Sequence, residues 1–131
     1  MRRRSRASSG ASGREGVRTV PKPWGREVIF AENERYAGKI LHIDAGHSLS
    51  LQYHERKDET IYVLSGSMIF EYGPLGDAPL TRVTLVPGDG FRITPLLRHR
   101  MIAETDCDII EASTPELDDV VRLEDRYGRV D

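Results

Sequence analysis

The chain has 131 residues, enough for one domain to bury a core without covalent cross-links. Its single cysteine, Cys107, cannot form an internal disulfide, so we expect a reducing, cytoplasmic setting. No apolar run approaches the roughly 20 residues that cross a bilayer, and we therefore predict no membrane partner.

The formal net charge of −2 conceals a basic beginning and an acidic remainder. Residues 1–18 contain six arginines among mostly Ser, Gly and Ala, with no apolar periodicity, so we predict a disordered tail there. Residues 19–131 are then one domain. A nucleic-acid-binding arm at Arg2–Arg4 is the alternative, but no aromatic residue interleaves these arginines and the rest of the chain is acidic. We therefore expect no nucleic-acid partner.

Beyond Pro23, short β-prone segments alternate with turn residues about every ten positions, which is typical of a sandwich or barrel. Clusters such as Asp44-Ala45-Gly46 and Pro87-Gly88-Asp89 supply the turns. Helical periodicity is nearly absent, apart from a short helical turn expected around Pro115 to Asp119. The predicted strands are residues 26–31, 35–43, 48–54, 60–64, 67–72, 81–86, 90–94, 99–104 and 108–112.

Four side chains have the chemistry and spacing of a site for one divalent ion. Gln52 and His54 are two residues apart on a predicted strand, so both point to the same face. A short charged loop leads from them to Glu59, and a later strand begins with His99. Two imidazoles, a carboxylate and an amide oxygen suit zinc, manganese, iron, cobalt or nickel and leave positions for water or substrate.

Two stretches around these residues resemble the motifs of one family. Gly46 to Gly66 resembles the first cupin motif, with Gln52 where the first histidine usually stands, and Pro87 to His99 resembles the second. The resemblance implies an all-β, cupin-type double-stranded β-helix, which is a jelly-roll barrel. It also implies a homodimer, and the apolar face of Leu49, Leu51 and Tyr53 gives a second reason to expect one.

Further segments narrow the resemblance, namely Pro23-Trp24-Gly25, Leu49 to His54 with Glu59, Pro95 with His99-Arg100, and Asp118 to Arg129. Together they are similar to the isomerase domain of type II mannose-6-phosphate isomerases. The chain departs from that branch at Glu55, Arg56 and Lys57, around the mouth of the site. The ion is therefore more firmly implied than the substrate.

Five more residues are candidates for catalysis or substrate binding. Lys39 and Glu111 match residues of the isomerase branch and would be proton carriers if they face the barrel interior; an outward, solvated position is the alternative for each. Arg56 and Lys57 are candidate contacts for a substrate phosphate. Arg100 is a candidate substrate contact too, although strand alternation points it away from the ion and favours pairing with the acidic C-terminal segment.

Three functions are compatible with this pattern. The first is a sugar-phosphate aldose–ketose isomerase, in which the ion stabilises charge on the open-chain sugar while a base moves a proton between C1 and C2. The second is a metal-dependent cupin dioxygenase, and the third is a non-catalytic module that binds a metal or small molecule. The basic residues near the site favour a small anionic ligand in every case.

Overall fold

The computed structural model describes residues 11–130. This range contains no helix, and so none that is long and apolar enough to cross a membrane. Its eleven strands are β1 (Arg18–Lys22), β2 (Gly25–Glu32), β3 (Ala37–Ile43), β4 (Leu51–Tyr53), β5 (Glu59–Ser65), β6 (Met68–Gly73), β7 (Thr81–Leu85), β8 (Gly90–Ile93), β9 (Arg98–Ala103), β10 (Cys107–Ser113) and β11 (Val121–Glu124).

Within residues 11–130 the strands form two antiparallel sheets. One has six strands in the order β1-β2-β3-β10-β5-β8, and the other has five in the order β11-β4-β9-β6-β7. The chain passes repeatedly from one sheet to the other, so strands that follow each other in sequence often lie in different layers. This all-β architecture of two packed antiparallel sheets confirms the expected jelly roll.

The core lies between the sheets because strand alternation turns apolar residues inward. In β5, Ile61 and Val63 are fully buried while the intervening Tyr62 and Leu64 are exposed. From the opposite sheet, Phe70 is fully buried and its ring centroid lies 4.6 Å from that of Phe91. Burying one such side chain contributes about 1.5–3 kcal/mol.

Gly25 allows β2 to begin close against β3. Its φ is 151°, and a Cβ at this position would lie 1.9 Å from the carbonyl oxygen of His42. A larger residue would therefore force the two strands apart. The neighbouring Trp24 is buried in the core, so this segment anchors the first hairpin.

All nine predicted strands are present, with ends shifted by up to three residues. The largest shift is in the predicted strand 48–54, where only β4 is continuous and Ser48 makes an isolated bridge to Ile102. Strands β1 and β11 were not predicted. The expected helical turn is instead a hydrogen-bonded turn, in which Leu117 N–H donates to Pro115 O and Asp119 N–H donates to Glu116 O.

The predicted tail overlaps the described chain only in part. Residues 1–10 lie outside the described range, and residues 11–17 have no regular secondary structure. Arg18 already belongs to β1, one residue before the predicted start of the domain.

Candidate metal centre

Three of the predicted ligands meet between the two sheets. His54 directly follows β4, Glu59 begins β5, and His99 is the second residue of β9. Their exposed fractions are 2 %, 3 % and 1 %. One potential ligand atom from each lies within 4.8 Å of the others. Segments far apart in sequence thus bring one carboxylate and two imidazoles to a common point.

Backbone carbonyls orient both imidazoles. The Nδ1 of His54 bonds the carbonyl oxygen of Asp119, and the Nδ1 of His99 lies 2.9 Å from the carbonyl oxygen of Leu97. A carbonyl only accepts, so each ring carries a proton on Nδ1 and turns its Nε2 toward Glu59. Glu59 Oε2 lies 2.8 Å from Nε2 of His54 and 3.6 Å from Nε2 of His99.

Glu59 Oε2 and the Nε2 of His99 therefore face each other as acceptors, beside the hydrogen bond between His54 Nε2 and Glu59 Oε2. Within the described part of the chain, the buried Nε2 of His99 has no hydrogen-bond partner. A cation among the three groups would satisfy this atom and relieve the repulsion between acceptors. The arrangement fits a divalent metal ion.

The protonation states are those that metal binding needs. Burial lowers the pKa of His99 to about 4, so this imidazole is neutral at physiological pH. Burial alone would raise the pKa of Glu59, but hydrogen bonding to His54 and the charge of Lys57 together hold it below its usual range. An ionised carboxylate beside a neutral imidazole binds a cation without first releasing a proton.

Gln52 lies beside these three residues. It pairs with His99 across β4 and β9, so the two side chains share one face of the sheet. Its Oε1 accepts a hydrogen bond of 2.6 Å from Ser50 Oγ. The structure thus brings all four predicted ligands together, and coordination by Gln52 stays a prediction.

A buried lysine connects the centre to a second carboxylate. Lys57 Nζ lies 3.3 Å from Glu59 Oε1 and 2.9 Å from Glu111 Oε2. Burial alone would lower the pKa of Lys57, but the charges of Glu111 and Glu59 raise it. Lys57 therefore remains a cation, and its charge is already shared by two carboxylates.

Glu111 has the properties of a proton carrier. Burial and the negative charge of Glu59 raise its pKa to about 7, against the opposing charges of Lys57 and Lys39. Lys39, the other predicted proton carrier, is its cross-strand partner on β3 and is also buried. Its Nζ lies 3.4 Å from Glu27 Oε2. Glu111 and Lys39 thus both face the barrel interior, which was the condition for either to be a proton carrier.

A cavity of about 450 Å³ gives access to these groups. Gln52, His54 and Glu59 line it together with Lys39, Lys57 and Glu111, and residues of the edge strands β1 and β11 also contribute. This volume suits a small molecule.

Two predicted substrate contacts lie elsewhere. Arg100 does not line the cavity; its guanidinium is 2.9 Å from Glu71 Oε1 and 3.2 Å from Glu124 Oε1 on the outer side of the sheet. Pairing with the acidic C-terminal segment was the alternative expected from strand alternation. Arg56 is exposed and lines a separate surface depression beside residues 115–121. The structure therefore separates both arginines from the metal ligands.

Asp119 supports the centre but was not predicted as a site residue. Its carboxylate accepts hydrogen bonds from the backbone N–H groups of Glu55, Arg56 and Lys57, at 3.0, 2.7 and 2.9 Å. Burial would raise its pKa, but these three donors lower it overall. The same residue supplies the carbonyl that orients His54. Its place in the segment Asp118 to Arg129 was the available sequence signal.

Comparison with known proteins fixes the family. Residues 39–112 match the Cupin domain family. This chain belongs to the cupin family. A relative, the mannose-1-phosphate guanylyltransferase ManC of Salmonella typhimurium, is 33 % identical over 86 % of this cupin and 23 % of its own length. The xanthan biosynthesis protein XanB of Xanthomonas campestris is 30 % identical over 93 % of this cupin and 26 % of its own length. The chain thus spans about a quarter of these curated relatives.

Solved structures agree on the fold. The capsular polysaccharide assembling protein CapF of Staphylococcus aureus superimposes with a TM-score of 0.70 at 16 % identity, over 84 % of this cupin and 35 % of CapF. Oxalate decarboxylase of Bacillus subtilis, a protein with Mn(II) centres, superimposes with a TM-score of 0.69 at 16 % identity, over 80 % of this cupin and 29 % of that chain. At this identity the likeness establishes the cupin jelly roll.

Proposed function

We propose that this cupin is a metal-dependent aldose–ketose isomerase of a sugar phosphate that resembles mannose 6-phosphate. The observation that carries the proposal is Glu111, a buried carboxyl with a pKa near 7 in the same cavity as the metal ligands His54 and Glu59. Isomerisation moves a proton between adjacent carbons, so it needs a group that takes and returns a proton near neutral pH. The name of the relative ManC, with its sugar-phosphate substrate, supports the choice of substrate class.

The residues divide the chemical work. A divalent ion held by His54, Glu59 and His99 would polarise the substrate oxygens next to the transferred proton. Glu111 takes the proton from one carbon and returns it to the next. Lys57, held 2.9 Å from Glu111 Oε2, keeps a positive charge beside this carboxylate when it is ionised. No step changes an oxidation state of the ion, so zinc, manganese, iron, cobalt or nickel would each serve.

The test combines metal analysis with turnover. The purified full chain, loaded with zinc or manganese, is expected to convert mannose 6-phosphate to fructose 6-phosphate without oxygen and to incorporate solvent deuterium at C1 of the product. Glu111→Gln should lower kcat by about 10²- to 10⁴-fold and retain the metal. Asp108→Asn, which changes a half-buried carboxylate on the same strand, is the matched control and should leave kcat unchanged.

Other outcomes point to the other two functions. Oxygen uptake with a chelating organic acid, and no turnover of the sugar phosphate, would replace the isomerase with a dioxygenase. Metal-dependent binding of the sugar phosphate with no turnover would leave a binding module.

Two further predictions accompany this proposal, a cytoplasmic location and a homodimer. The apolar face of Leu49, Leu51 and Tyr53 no longer gives a reason to expect the dimer, because Leu51 is buried within the chain and Leu49 packs against the core. The resemblance to cupins remains as the reason. Tyr53 is only half-buried. Sedimentation of the purified chain would test the dimer.

A further inference from the structure

Arg122 lies on the cavity face of β11. It pairs with Gln52 on β4, and Gln52 pairs with the metal-site residue His99 on β9. Cross-strand partners project from the same face of a sheet. Arg122 accordingly lines the cavity, together with the metal-site residues His54 and Glu59.

The spacing of this row suits a substrate with two ends. Neighbouring strands are about 4.8 Å apart, so the backbones of Arg122 and His99 are separated by about 10 Å. An open-chain hexose phosphate with its carbonyl end at the metal ligands would carry its phosphate away from them. Arg122 lies two strands from His99, next to Gln52, and so at a distance that this phosphate could reach.

Lys22 offers a second positive charge from the other sheet. Its Nζ lies 4.0 Å from Glu27 Oε2, and that same oxygen lies nearer, at 3.4 Å, to Nζ of Lys39. Two ammonium groups thus share one carboxylate, which leaves a net positive charge on this wall of the cavity.

We propose that Arg122 and Lys22 form a phosphate-binding subsite for a sugar phosphate. A guanidinium binds two phosphate oxygens in parallel, and an ammonium adds a point charge. The subsite rests on the proposed function for the substrate's orientation. The cavity lining holds five carboxylate side chains, and the charges of Arg122 and Lys22 would offset part of this negative charge for an incoming phosphate.

The test is isothermal titration of mannose 6-phosphate into the zinc-loaded full chain. Arg122→Gln should weaken binding about 10- to 100-fold, the loss expected for a hydrogen-bonded charge pair. Lys22→Gln should weaken it less, and Arg122→Lys should restore part of the loss. Affinities for zinc and for unphosphorylated mannose should not change. Arg26→Gln, which removes an exposed charge outside the cavity, is the matched control.

The outcomes separate the subsite from the isomerase. Unchanged binding in Arg122→Gln, or an equal loss in Arg26→Gln, overturns the subsite, and so does a wild-type chain that binds mannose 6-phosphate no better than mannose. Turnover by the wild type with an unchanged KM in Arg122→Gln overturns the subsite and leaves the isomerase standing. Arg122-dependent binding without turnover supports the subsite and refutes the isomerase. If Arg122→Gln also loses affinity for zinc, Arg122→Lys becomes the deciding variant. It must bind mannose with the same affinity as the wild type.

Discussion

Both histidines of the metal centre depend on backbone groups for their orientation, and for His54 the group belongs to Asp119. The carboxylate of Asp119 holds the chain at residues 55–57 through three N–H donors, directly after His54. One residue thus fixes both the ring and the loop that leads to Glu59. Its side chain is a positioning group for the ligands.

Asp119→Ala should therefore weaken zinc binding by about 10- to 100-fold, as loss of a supporting residue does in other metal sites. The three N–H groups would lose their acceptor, and the carbonyl against His54 would shift. Competition with a chromophoric chelator measures the affinity. Asp118→Ala, the exposed neighbour, is the control. An equal effect of both substitutions would contradict a specific role for Asp119.

The ligands were predictable from sequence because their chemistry lies in their side chains. Gln52 and His54 share a face through two-residue spacing, and Glu59 and His99 stand at strand starts. The contact between the Asp119 carbonyl and His54 could not be predicted from sequence, because every residue has a backbone carbonyl and only the folded structure determines which one contacts the ring. The position of Arg100 was also predictable, because it directly follows His99 on β9 and strand alternation turns its side chain to the opposite face.

At the scale of elements, the two strands missed by prediction are edges. β1 contains Pro21, which lacks a backbone N–H and is tolerated because β1 pairs on one side only. β11 has four residues and pairs with β4, which has three, through an irregular register. Edge strands need no continuous apolar pattern, so periodicity could not find them. Both line the cavity, which makes the unpredicted part of the fold the part nearest the ligand.

The turn after β11 should be sensitive to acid. Hydrogen bonds from Arg129 hold the pKa of Asp125 below its usual range, so this interaction stabilises the fold above the ordinary pKa of 3.8 and is lost as pH falls through the lower folded value. Asp125→Asn should lower the free energy of unfolding by about 1 kcal/mol at neutral pH, and the difference from wild type should shrink as pH falls below 3.8. Urea titrations over this pH range measure it. If the stability difference persists in acid, the effect of the substitution comes from side-chain packing and not from the charge of Asp125.

At the scale of the whole molecule, metal binding should stabilise the fold. An ion that binds only the folded state at 100 times its Kd adds about 2.7 kcal/mol to the free energy of unfolding. Urea titration with and without zinc measures the gain, and a chelator should reverse it. His99→Ala should show no gain, whereas His42→Ala, a histidine paired with Asp108 away from the centre, should keep it. Equal stabilisation of His99→Ala would place the ion elsewhere.

The ligands come from different layers of the barrel. Glu59 begins β5 of the six-stranded sheet, whereas His99 lies in β9 of the five-stranded sheet. A bound ion would link the two sheets, and any fluctuation that separates them would have to break its coordination bonds. The rate at which the ion escapes would then report how often the barrel opens.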